Sequence, residues 1–147
     1  MRLLGTVRLP GVAASAPRAR RFVRELLPQV DGEAMADIAL CVDELVANAC
    51  EHTASGTGGQ VTVVVSATRD VLRITVLDQG GTLGKPCVRT DLCAEDGRGL
   101  LLVEALSTAW GCHPALNGTA VWAEFRMVPP LSGDAEIDGG RGPWRRG

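Results

Sequence analysis

The 147-residue chain contains no tyrosine and only two phenylalanines, and aromatic residues make up 3% of it. The stacking platforms on which proteins hold single-stranded nucleic acid are therefore missing. A strong charge of either sign is missing too. Fifteen basic against 17 acidic residues leave a net charge of −2, so no broad field draws the chain to nucleic acid or to an anionic membrane. All but one of the basic residues are arginine, a bias of composition rather than a signal. No apolar run reaches the length of a membrane span, and the N-terminus lacks the apolar stretch of a signal peptide. Five cysteines (41, 50, 87, 93, 112) form an odd set with neither CxxC nor Cys/His ligand spacing. They point to reduced thiols in the cytoplasm and to no structural metal.

What is present is globular: 46% apolar and 22% charged residues, at a length that suits one domain with a real core. Leu3 to Leu9 alternates as a first strand and is closed by Pro10-Gly11. Ser15-Ala16-Pro17 opens a helix over Arg18–Val30, with Ser15 as the capping hydroxyl. Its apolar face is Ala19, Phe22, Val23, Leu26 and Leu27, while Arg18, Arg20, Arg21 and Arg24 form a solvated face. A second helix spans Met35–His52, where Ile38, Ala39, Cys41, Val42, Leu45, Val46 and Ala49 recur at intervals of three and four. Strands at 61–68 and 71–78 are joined by Arg69-Asp70 as a hairpin. Residues 82–96 show no period. Gly97-Arg98-Gly99 starts a third helix over the following LLLVEALSTAW, and strands at 109–115 and 119–127 flank an Asn117-Gly118 turn. This order predicts an α+β two-layer sandwich, a largely antiparallel sheet covered on one face by three helices. The expected domain is 1–128. From Pro129 the chain reads as a disordered tail, with Trp144, Arg141, Arg145 and Arg146 solvated, and a docking peptide as the alternative.

Three polar or glycine-rich stations interrupt this scaffold, and each suits one part of a magnesium nucleotide. Glu44 and Asn48 lie one turn apart on the second helix, so they project as stacked neighbours. Polar groups on a core-forming helix need partners. The amide oxygen of Asn48 is a hard ligand suited to Mg²⁺, and Glu44 could polarise the hydroxyl that attacks a γ-phosphate. Asp78 ends a strand, where its carboxylate can accept a hydrogen bond from the exocyclic amine of adenine, a group guanine lacks at that position. Gly80 then allows close approach of a flat base. Gly97 and Gly99 at a helix start expose backbone N–H groups to an anion. The bland alternative for the helical pair is that both side chains simply face solvent.

Four motifs in register carry a resemblance: DELVANACEH (43–52), VLDQGG (76–81), GRGLLLVEALSTAWG (97–111) and GTAVWAEF (118–125). Over roughly residues 8 to 127 the sequence resembles the GHKL superfamily of ATP-binding domains with the Bergerat-type fold. Within it, the chain looks like the anti-sigma-factor serine kinases and related bacterial ATP-binding regulators. The resemblance implies ATP and Mg²⁺ as cofactors, Asn48 as metal ligand and Glu44 as general base. It also implies Asp78 as adenine ligand, with Gly80, Gly97 and Gly99 shaping the pocket. Leu100 and the backbone after it would close on the phosphates, Arg98 would be the basic residue best placed to meet their charge, and 82–96 would be the ATP lid. His52 matches a histidine common at this place in that branch; on its own it reads as a helix-end residue. The implied partners are a sigma factor and an antagonist protein phosphorylated on serine, and homodimers are common in the family.

One departure stands out. The expected Asp-x-Gly-x-Gly reads here Asp78-Gln79-Gly80-Gly81-Thr82, with the second glycine displaced by one position. Two readings follow. The retained Glu44/Asn48 pair favours a protein serine/threonine kinase, and the displaced glycine favours a catalytically weak, nucleotide-gated protein-binding module. A histidine sensor kinase is disfavoured, because no phosphoacceptor helix pair precedes the ATP-binding motifs. A dinucleotide fingerprint fails for want of a third glycine and a βαβ unit.

Overall fold

A computed structural model of the protein describes residues 1–52, 59–79, 97–115, 118–127 and 131. Its elements in chain order are β1 (Arg2–Pro10), α1 (Ser15–Leu26), α2 (Gly32–His52), β2 (Gln60–Ala67), β3 (Val71–Gln79), α3 (Gly97–Leu106), β4 (Ala109–Ala115) and β5 (Gly118–Arg126). The two layers follow from the period of the strands. In β2, Val61, Val63, Val65 and Ala67 are buried while the residues between them stay partly exposed. Antiparallel pairing sets these against Asp78, Val76, Ile74 and Leu72 of β3. The same face continues through Val121, Ala123 and Phe125 of β5. A one-residue slip would turn this whole apolar row to the other face, so burial pins the register. The strand order is β1-β2-β3-β5-β4, and all four pairings are antiparallel.

Helix α2 covers the middle of that face. Ile38, Cys41, Val42, Leu45 and Val46 are all essentially inaccessible, and α1 and α3 pack on its two sides. Burying one such aliphatic side chain contributes roughly 1.5–3 kcal/mol. Arg20 of α1 ties the helix pair from outside by donating to both oxygens of Asp43 at 2.8 and 3.0 Å. On the opposite face of the sheet, which no described helix covers, Arg73 pairs with Glu124 at 2.6 Å and its guanidinium lies 4.6 Å from the centre of the Trp122 ring.

Several boundaries differ from expectation for local reasons. Helix α1 starts at Ser15, which does not cap it; its hydroxyl donates to the Pro10 carbonyl at 2.6 Å and locks β1 to the helix start. The helix ends at Leu26 rather than Val30. Leu27 leaves helical geometry (φ −126°, ψ 56°) because it precedes Pro28, whose ring disfavours the helical region for the residue before it. Helix α2 begins at Gly32, since the Asp31 carboxylate accepts the Ala34 N–H at 2.7 Å and caps it. Helix α3 ends at Leu106, where the Ser107 hydroxyl donates to the Val103 carbonyl and the Thr108 N–H joins Glu124 of β5. Trp110 is therefore a strand residue.

After β5 the chain folds back. Met127 donates to the Asp70 carbonyl at 2.9 Å, and Leu131 donates to that of Arg69 at 2.8 Å with its side chain buried in the core. Cys41 and Cys50 are free thiols, whereas Cys112 on β4 is disulfide-bonded. That bond corrects the expectation of thiols throughout; pairing depends on spatial proximity, which cysteine spacing does not encode. Among the described residues no helix is long and apolar enough to cross a membrane.

Candidate functional site

The start of α2 and the ends of α3 and β5 line one pocket, and β3 runs antiparallel to β5, so the C-terminal half of α2, the end of β3 and the start of α3 all run toward the opposite pole of the sandwich. Asn48 lies on α2 and is 7% exposed, and its amide nitrogen Nδ2 has no hydrogen-bond partner among the described residues. A buried amide left unsatisfied costs about 1–3 kcal/mol. The side chain thus keeps an amide N–H₂ inside the fold that no described residue uses. Glu44, one turn earlier, is half-buried.

Asp78 is 5% exposed at the end of β3, and its Oδ1 accepts the backbone N–H of Thr119 at 3.1 Å. The partner strand approaches this carboxylate without a side chain in the way. A Cβ at Gly118 would overlap the Asp78 carbonyl oxygen and lie 2.5 Å from Oδ1. Gly118 and Thr119 therefore orient Asp78, a role that reading the Asn117-Gly118 pair as a hairpin turn does not assign. The only local signal was a glycine followed by a buried threonine at a strand start.

Gly97, Arg98 and Gly99 form the first turn of α3, where the leading N–H groups have no carbonyl partner within the helix. Leu100 is 3% exposed, so its side chain belongs to the core and only its backbone is available to a ligand. Gly80, Gly81 and the segment 82–96 lie outside the described residues. His52 ends α2. Burial, reinforced by the Asp37 and Glu44 carboxylates, pushes the Cys41 thiol up to about 12, so it stays protonated and inert.

The model of the histidine kinase-like ATPase domain matches residues 9–125, four-fifths of the chain and every motif above. The chain belongs to that family. Comparison with curated proteins gives no match. Domains of the histidine kinase-like, GHKL-type family bind ATP, usually with Mg²⁺. The residues present fit such a group: the buried Asn48 amide nitrogen meets no acceptor among the described residues and can donate to a phosphate oxygen, and an oriented carboxylate stands at the strand end. In this ATPase domain the candidate site residues lie on α2, β3 and α3, with the first residues of β5 beside Asp78.

Proposed function

We propose that the protein binds Mg²⁺-ATP at this pole and acts as an anti-sigma-factor-type serine kinase, phosphorylating an antagonist protein and binding a sigma factor. The observation that carries the nucleotide reading is Asn48, buried one turn after Glu44 with an Nδ2 that meets no acceptor among the described residues. That nitrogen can donate to a phosphate oxygen, which leaves Oδ1 as the atom to face a metal in this reading. In this reading Asn48 holds the metal, and Asp78, oriented by Thr119, accepts a hydrogen bond from the adenine amine. The first turn of α3, with Gly97, Gly99 and Arg98, faces the phosphates. The bound Mg²⁺ would offset phosphate charge. Glu44 takes the proton of the substrate serine as its oxygen bonds to the γ-phosphorus and the bond to the β-phosphate oxygen breaks, releasing ADP. The retained carboxylate supports the kinase reading, because binding alone does not require it. A nucleotide-gated binding module is the second reading, supported by the displacement of the second glycine to Gly81.

Calorimetric titration with ATP and Mg²⁺, beside Asn48→Ala and a GTP control, tests the site. Saturable ATP heat that disappears in Asn48→Ala, with GTP silent, supports it; no heat and no thermal stabilisation by ATP refutes it. Single-turnover phosphotransfer to candidate antagonist proteins separates the two readings. Glu44→Ala should abolish transfer and keep most of the ATP affinity, whereas a wild type that binds ATP and transfers to none is the binding module.

A further inference from the structure

The pole opposite the nucleotide site carries a half-open pocket of about 150 Å³ between the first half of α2, the end of α3 and the end of β5. Its walls are Ile38, Leu106, Phe125 and Met127, with Asp37 and Arg126 as polar neighbours. A cavity near 150 Å³ is large enough to take up a benzene-sized group, so this one fits a single aromatic side chain rather than a length of backbone. Asp37 and Glu33, one turn apart, have no ion-pair partner among the described residues. Arg126 is drawn toward Asp70 at 3.5 Å.

The chain leaves the described fold beside this pocket. Met127 is part of its wall, and Leu131 is pinned to the neighbouring β2–β3 turn through Arg69. The residues that follow contain one aromatic, Trp144, flanked by Arg141, Arg145 and Arg146. The stretch from Leu131 to Trp144 spans up to roughly 45 Å when extended, so reach is no constraint. Such a tether also holds the tryptophan at an effective concentration on the order of millimolar. We propose that Trp144 docks in cis into this pocket, with its flanking arginines set against Asp37 and Glu33. The pocket walls belong to the two helices whose far ends carry Asn48 and Gly97–Gly99, so docking braces the nucleotide pole from behind. The inference does not depend on the nucleotide reading.

Hydrogen exchange on the full chain tests it. Trp144→Ala and Asp37→Arg should each speed exchange of amides 34–38 and 104–108 by about tenfold, Trp144→Phe should retain most of the protection, and adding Arg145→Glu and Arg146→Glu to Asp37→Arg should restore it. Trp144 is not among the residues of the hydrophobic core, and thermal melting of Trp144→Ala beside wild type checks that the core stays folded. Identical exchange in wild type and Trp144→Ala overturns the proposal. So does protection that grows with protein concentration, which would place the tryptophan in a second copy.

Discussion

Replacing Gly118 with alanine is expected to disconnect β5 from Asp78. The added Cβ would overlap the Asp78 carbonyl oxygen, lie 2.5 Å from Oδ1 and stand 3.0 Å from the carbonyl carbon. None of these atoms is the end of a flexible side chain: two are backbone, and the third is held by the Thr119 N–H at 3.1 Å. The start of β5 must therefore shift by on the order of 1 Å, which breaks that bond. Loss of a hydrogen bond to a charged acceptor costs about 1.5–3 kcal/mol, and the strain of the shift adds about 1 kcal/mol or more. For a domain of this size, a total near 3 kcal/mol lowers Tm by roughly 10 °C. Thermal melting of the protein without nucleotide measures this directly, and ATP titration of the same variant should show at least about a tenfold loss of affinity, since the adenine-facing carboxylate is no longer oriented. A variant that melts within about 2 °C of wild type refutes the argument, because the strand would then have absorbed the methyl group without losing its contact.

Three further outcomes follow from individual groups. Asn48→Leu removes an unsatisfied buried amide in favour of an apolar group of similar size, so it should stabilise the protein by about 1 kcal/mol in denaturant melts while eliminating ATP heat in calorimetry. Cys41 should make stability pH-dependent only on the alkaline side. Its thiol ionises in the unfolded chain near its ordinary value of 9.0 but in the fold only near 12. Between those values the folded state binds more protons than the unfolded one, so stability falls as pH rises, at up to ~1.4 kcal/mol per pH unit. Urea melts of wild type and Cys41→Ala between pH 8 and 10.5 check this, and the slope should be shallower in the variant, where what remains comes from Cys50, whose thiol burial also raises. Arg20→Ala removes a half-exposed two-oxygen pair with Asp43, and the loss should stay near or below about 1 kcal/mol and shrink in high salt.

The layers of this protein were legible in its sequence because both periods are local. Alternation in 61–67 and 71–78 and the three-and-four spacing of Ile38, Val42, Leu45 and Val46 each state which face is buried, whatever the rest of the chain does. The Glu44/Asn48 pair and the acid at the strand end were legible for the same reason, as polar residues at positions whose period demands apolar ones. Helix ends were less so. Pro28 and Asp31 carry the information for α1 and α2, but the fate of Ser15 rests on a carbonyl in the preceding strand.

Contacts between residues far apart in the chain were decided only by tertiary structure. That Thr119 holds Asp78 across forty-one positions, and that Gly118 must lack a side chain to allow it, depends on which strand β3 takes as its neighbour. The pocket lined by α2, α3 and β5 depends on the same choice. Periodicity says that a face will be buried; only the packed chain says against what. The amino-acid sequence determined the layers and the chemistry the pole contains, and the fold decided which groups hold it in position.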